Sequence, residues 1–444
     1  MSLHTPVPHT ISPSAHTYTG TQGYIRVQQS LPLEGNIHLS GAKNSSLGII
    51  ASLLLTKGVS VLKNVPASHD ILQMIKLIEQ LGAETTFDIE NNILVVDTTH
   101  ADGFYVPSAI TTTFRASVLI LGPLLARHKK ASFGFPGGCS IGARPIDYHI
   151  KNLEKMGVTF TYHEDYIEAH AEQLHARKLL LEYQSMGATK NLMMVASLTQ
   201  GTTRICNAAF EPEVFDFIEV LKKMGARISF EAPSTIVIQG VEKLEPVEHT
   251  IMFDRLEAGA LLLAGAITAG HIHIPEAPAH TMELFLMKLQ EMGHHIIIGD
   301  NEQGVTIKGT KKTRAVSIKT APHPCFPTDL QAPIMTALTL CHGTSKVQET
   351  VFENRFGHIQ ELAKLGAHIT LSHGVATIHG VDQLHGTIVE APDIRASCAL
   401  VLAGLAANGT TIVQNIHHWK RGYESLELKL QMLGASIELV EPAL

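Results

Sequence analysis

Positive charge is scarce in this chain. Lys and Arg total 34 against 41 Asp and Glu, a formal net charge of −7, and aromatic residues make up only 5%. A nucleic-acid binder carries a basic excess or stacking aromatics, so no nucleic-acid partner is expected. Long apolar runs are missing too. The most apolar stretches, 47–55 and 396–407, fall short of the roughly 18 residues a membrane span needs, so no membrane association is expected. Residues 1–23 are rich in His, Thr, Ser and Pro. They lack the basic start and apolar centre of a secretory signal and read as a flexible leader or docking arm. The five cysteines, Cys139, Cys206, Cys325, Cys341 and Cys398, form no CxxC pair; an odd, scattered set fits reduced thiols in the cytoplasm. No HExxH or Cys/His spacing marks a metal site, and His271 and His273 share a strand face without a third ligand. Residues 304–311 miss the phosphate-loop pattern by an inserted Thr, no GxGxxG follows a strand, and no GxSxG elbow occurs. Hydrophobic residues, at 45%, suffice for large buried cores, and 444 residues allow two or three domains. Basic sites in such a chain are local, which suits a small anionic ligand.

An internal repeat organises the sequence. Six times an amphipathic helix runs into Leu/Met-Gly-small and then a short strand, at 75–86, 150–161, 218–229, 286–297, 359–370 and 428–438. The glycines are Gly82, Gly157, Gly225, Gly293, Gly366 and Gly434. Each falls where a helix end needs positive φ. A nearly all-apolar helix precedes each copy, at 44–56, 115–126, 188–199, 256–269, 330–341 and 395–407. Helices apolar on every side are buried helices. A thin solenoid cannot bury a helix on every side. Three units with helices inside and sheets outside can, which predicts an α/β protein of two pseudo-threefold globules joined by short hinges.

These buried helices open on charged or polar residues: Lys43-Asn44, Arg115, Lys190-Asn191, Asp254-Arg255, Asp329, and Asp393 with Arg395. The outer segments add Arg144, Arg355 and Arg421. An acid in a first turn is ordinarily a cap, and Asp329 and Asp393 suit that role. Cations at a helix start oppose the dipole. Lys43, Arg115, Arg144, Arg395 and Arg421 all read as taking that position, which argues for an anionic partner at converging helix N-termini, in a cleft between the globules. Two loops stand out besides. Residues 133–149 hold four glycines, with Pro145 suited to the first turn of the following helix. Cys139 sits in this loop near Arg144, a setting that favours thiolate, although a lone cysteine is often an inert core residue. Residues 320–329 carry three prolines that stiffen the approach to Asp329, as a positioned base or as a braced turn.

The segments GAKN (41–44), FRAS (114–117), PGGCSIGARP (136–145), APHPCFPTD (321–329), ENRFGH (353–358), PDIRAS (392–397) and RGYE (421–424) occur in one order. Together they resemble the UDP-N-acetylglucosamine 1-carboxyvinyltransferase family, the enolpyruvyl transferases of peptidoglycan synthesis, from about residue 24 to 437. The sister 5-enolpyruvylshikimate-3-phosphate synthases share the repeat but not the GGCxIGARP loop. The resemblance implies a two-domain inside-out α/β barrel of six βαβαββ units, three per domain. The chain would begin in one domain (1–44 and 251–444), complete the other (45–250) and return. The implied reaction converts phosphoenolpyruvate and UDP-N-acetylglucosamine to enolpyruvyl-UDP-N-acetylglucosamine and phosphate, in the cytoplasm, with no metal or cofactor, by a monomer or weak homo-oligomer.

The resemblance also implies site residues. Lys43, Arg144 and Arg421 would grip phosphoenolpyruvate, and Asn44 would touch the sugar. Arg115 would support the uridine nucleotide and the loop. Pro145, Ile146, Asp147, Tyr148, Ser185 and Met186 fall in the segments that contact the nucleotide, and Val351 would reach it through its backbone. Asp329 would accept the proton of the sugar 3′-hydroxyl. Cys139 would act as general acid at the enolpyruvyl carbon or in product release. Asp393 and Arg395 would line the cleft, and Arg355 would be a further anion contact. A cysteine at 139 also implies inactivation by fosfomycin, an epoxide mimic of phosphoenolpyruvate. Three rivals stand beside this reading: a sister transferase with another acceptor, a non-catalytic UDP-N-acetylglucosamine-binding regulator, and an RNA-terminal phosphate cyclase. The acidic charge and the missing adenylation histidine motif disfavour the last.

Overall fold

The computed structural model describes residues 23–137, 141 and 146–441. The leader up to residue 22, and Cys139, Arg144 and Pro145 of the glycine loop, lie outside the described residues. Among the described residues, six four-stranded sheets share one order. In the unit at 178–239, the edge strand Lys178–Leu180 runs parallel to Thr202–Cys206; Thr235–Gln239 pairs antiparallel with that strand on one side and with Arg227–Glu231 on the other. The other five sheets repeat this arrangement.

Each unit's inner helix is buried around its circumference. In Arg255–Thr268 every residue but Ile267 is buried. Six of that helix's fourteen residues are glycine or alanine, so neighbouring elements approach closely; a Cβ on Gly259 would lie 2.6 Å from Leu330. The outer helices end at the six glycines anticipated from the repeat, with φ between +94° and +106°. Two inner helices differ from expectation. At 115–126 the chain forms a 3₁₀ turn, Arg115–Ile120, before the α-helix Leu121–His128. At 330–341 the 3₁₀ turn Thr328–Leu330 precedes Gln331–Leu338. Pro123 and Pro333 explain both. Each lacks an N–H and would clash with the carbonyl four residues back, so the α-helix begins two residues before the proline.

Among the described residues, buried apolar side chains form two clusters. One draws on residues 25–39 and 256–437, the other on 47–251. The chain passes between them twice, and the passages lie side by side: the amide of Ala42 donates to the carbonyl of Met252 at 2.7 Å, and that of Asp254 to Ser40 at 3.0 Å. Gly41 sits at this crossing because a Cβ there would lie 1.8 Å from the carbonyl oxygen of Asn64. Each passage ends directly in an inner helix, Lys43–Ser52 or Arg255–Thr268. The double crossing thus delivers two helix N-termini, with their charges, to one place. Three sheets are completed by distant segments: Glu34–Asn36 edges the sheet of His271–Pro278, Glu248–Thr250 that of Val59–Lys63, and Tyr24–Gln28 lies between Thr410–Gln414 and Ile437–Val440. No helix among the described residues is long and apolar enough to cross a membrane.

Candidate active site

The inner-helix starts converge on a cavity of about 620 Å³, within the size range of small-ligand sites. Its walls come from both clusters. Lys43, Asn44, Arg115, Tyr148, Ser185 and Met186 face Asp329, Val351, Arg355, Asp393, Arg395 and Arg421 across it. Among the described residues, seven cationic side chains and six carboxylates line it. The cations are therefore not a bare ring; carboxylates hold them in groups.

Two groups repeat one design. Asp70, second residue of the helix His69–Gln80, has Lys43 Nζ 3.3 Å from one oxygen and Arg421 Nε 2.8 Å from the other. Burial works against its charge, but the two cations prevail and hold the carboxyl below its ordinary range. Asp329 has Arg355 Nη2 at 2.6 Å on one oxygen and Arg395 Nη2 at 2.9 Å on the other. Its carboxyl too is held, against burial and chiefly by Arg395 and Arg355, far below the usual range. Each group carries two positive charges and one negative, so each is net +1. A doubly anionic ligand placed between them would balance the pair. Two donors of these groups, Arg355 Nε and Arg395 Nη1, are buried without hydrogen-bond partners.

Asp393 is a true N-cap, its Oδ1 accepting from the amides of Arg395 at 2.8 Å and Ala396 at 3.0 Å. Asp329 is not, since it lies inside the turn Thr328–Leu330 with both oxygens on guanidinium groups. Arg421 also departs from expectation. It sits in the last turn of the helix His417–Gly422, where its charge suits the dipole, rather than at a helix start. Lys43 and Arg395 do occupy first turns. Ser185 caps Met186–Ser197, its hydroxyl accepting from the Ala188 amide at 3.3 Å. The Val351 amide donates to Glu349 Oε1 at 2.7 Å. Ile146 and Asp147 do not line the cavity. Asp147 opens the helix Asp147–Lys155, with Oδ2 3.5 Å from Lys151 and Oδ1 buried without a partner.

Four contributors escape a reading of the sequence. Asp70 looks like an ordinary first-turn acid. Glu213 meets Arg255 with two hydrogen bonds, 2.9 and 3.2 Å, linking the two clusters across the cavity. Glu211 lines the same wall; its Oε2 is unpartnered and burial raises its pKa. The ring of Tyr183 stacks near Tyr148, centroids 6.4 Å apart, with its hydroxyl pushed up to about 12 by burial and by Glu211 and Glu349. No group of three metal-ligating side chains occurs among the described residues.

Residues 27–430 match the profile of a protein family described as EPSP synthase (3-phosphoshikimate 1-carboxyvinyltransferase). A UDP-N-acetylglucosamine 1-carboxyvinyltransferase of Geobacter metallireducens is 44% identical over 409 residues, 92% of this chain and 97% of its own. Its namesake in Geotalea uraniireducens is 46% identical over the same shares. Among solved structures, the enolpyruvyl transferase NikO from Streptomyces tendae superposes with a TM-score of 0.86 at 25% identity, covering 94% of this chain and 99% of that one.

Proposed function

Because the chain belongs to the EPSP synthase family of enolpyruvyl (carboxyvinyl) transferases, we propose that it transfers the enolpyruvyl group of phosphoenolpyruvate to the 3′-hydroxyl of UDP-N-acetylglucosamine, releasing phosphate. This is the step that commits the sugar nucleotide to peptidoglycan synthesis. The observation that carries the reading is the pair of net-positive groups, Lys43–Asp70–Arg421 and Arg355–Asp329–Arg395, in one cavity. Phosphoenolpyruvate brings a phosphate and a carboxylate, the anions such groups fit. The curated relatives, at 44–46% identity over nearly their whole length, favour UDP-N-acetylglucosamine as acceptor.

The sugar oxygen adds to the central carbon of the donor as a proton goes to its methylene carbon, and phosphate then leaves as one proton of the resulting methyl group is lost. Asp329 is ionised at neutral pH and so in the right state to receive the hydroxyl proton. It is a weak base while both guanidinium groups hold it. Donor oxygens that draw Arg355 or Arg395 away raise its basicity, which couples proton transfer to an occupied site. Cys139 supplies the acid or assists product release. The domains are 1–44 with 251–444, and 45–250; their approach excludes water from the intermediate. The substrates are small molecules, and the protein works in the cytoplasm as a monomer or weak homo-oligomer.

The family description favours a second reading, with shikimate 3-phosphate as acceptor. Purified protein with phosphoenolpyruvate is expected to release phosphate when UDP-N-acetylglucosamine is added and not when shikimate 3-phosphate is. The reverse result establishes the second reading, and tight nucleotide-sugar binding without phosphate release establishes a regulator. Asp329→Asn is expected to lower kcat at least about a thousandfold, as loss of a general base within a concerted site does.

A further inference from the structure

Lys190 is fully enclosed yet forms no close ion pair among the described residues. It lies in the helix Met186–Ser197 and is 1% exposed. Its ammonium donates to the backbone carbonyl of Asn44 at 2.9 Å, with the ring of Phe217 at 5.5 Å. Glu213, Asp216 and Glu211 act on it from further off, and burial outweighs them, so that its pKa falls to about 8. The fold does not require this contact. A carbonyl in the first turn of an α-helix already accepts the amide four residues on.

Gly48 makes the contact possible. It stands inside the helix Lys43–Ser52, where glycine is unfavourable. A Cβ there would meet Lys190 Cδ at 2.9 Å and Nζ at 3.1 Å. Two unfavourable choices, a buried ammonium and a mid-helix glycine, thus interlock at one turn. That turn carries Lys43 and Asn44. It is also held by Asp254, 3.4 Å from the Lys43 amide, by Asp70 on the Lys43 ammonium, and by Asp216 on the Ser45 hydroxyl. Lys190 is the anchor from the helix that begins at Ser185 and Met186, on another wall of the cavity.

We propose that Lys190 is a positioning residue: seated against Gly48, it fixes the first turn of the helix Lys43–Ser52 and so aims Lys43 and Asn44 at the ligand. The role rests on reading the cavity as the enolpyruvyl-transfer site. Lys190→Met removes the ammonium. Gly48→Ala pushes it off the carbonyl while improving the helix, so a loss of activity there cannot come from a weaker helix. Phosphate release from phosphoenolpyruvate and UDP-N-acetylglucosamine, melting temperature and a crystal structure are measured for both variants. The expected result is a kcat lower by roughly tenfold or more, since displacements near 1 Å cost that much. Lys43 or Asn44 should be displaced, KM should rise for the substrate that the displaced side chain contacts, and the melting temperature should not fall. An unchanged kcat in both variants overturns the role, as does a kcat that falls only in step with melting temperature. If the unsubstituted protein releases no phosphate, the reaction assignment fails, and the crystal structures decide alone: a shifted Lys43–Asn44 turn supports the role and an unmoved one ends it.

Discussion

A single carboxylate between two cations is the recurring residue-level device of this protein, and its removal is informative. Asp70→Asn would leave Lys43 and Arg421 facing each other in a buried setting, a loss of about 3–5 kcal/mol. Millimolar inorganic phosphate should restore the melting temperature of that variant far more than it raises that of the unsubstituted protein, because an anion replaces the missing charge. Lys190 gives a pH signature. Its folded pKa, about 8, lies below its ordinary 10.5. Below pH 8 both folded and unfolded states bind the proton and the burial penalty is complete; above 10.5 neither does and the penalty is gone. The unsubstituted protein should therefore gain stability relative to Lys190→Met as pH rises from 8 to 10.5, measured by denaturant unfolding at each pH. At this scale the sequence was only partly legible. Lys43 and Arg395 betray themselves by sitting where the helix dipole disfavours them. Asp70 does not, since an acid in a first turn is unremarkable and its partner Arg421 is 351 residues away.

Elements were far more readable than contacts. The six glycines that end the outer helices answer a demand confined to one residue, positive φ, and a local demand leaves a local mark. Gly225 isolates that demand, because a Cβ there would touch nothing within 4 Å. Gly225→Ala should cost about 1–2 kcal/mol in chemical denaturation, from backbone strain alone, with phosphate release unaffected. The inner helices were visible from their unbroken apolar character, but their first turns were not. Pro123 and Pro333 convert the starts at 115 and 328 into 3₁₀ turns, and this is what carries Asp329 out of a capping position and between two arginines. Arg421 reads from the sequence as opening a helix, whereas the short helix His417–Gly422 ends there. A six-residue helix has too little periodicity to reveal its direction from sequence.

At the scale of the whole molecule, the repeat foretold six units, and the sheets reproduce one another strand for strand. The closure of the last sheet was not foretold. Its third strand is Tyr24–Gln28, with Ile25 and Val27 wholly buried and Arg26 bonded to Glu438. Deleting residues 1–28 should abolish the cooperative unfolding transition of the cluster that draws on 256–437, because two strands would lose their shared partner, whereas scanning calorimetry should still show a transition for the 47–251 cluster. This stitching also sets a timetable for synthesis. The strand at 24–28 emerges long before its neighbour at 437–440, which lies 412 residues later by the Arg26–Glu438 pairing. At ribosomal speeds of about 5–20 residues per second, it waits roughly 20–80 s with an apolar edge unpaired. The 47–251 core has all its strands by Thr250 and can consolidate meanwhile, so nascent chains should be most vulnerable to chaperone capture and proteases at the strand Tyr24–Gln28.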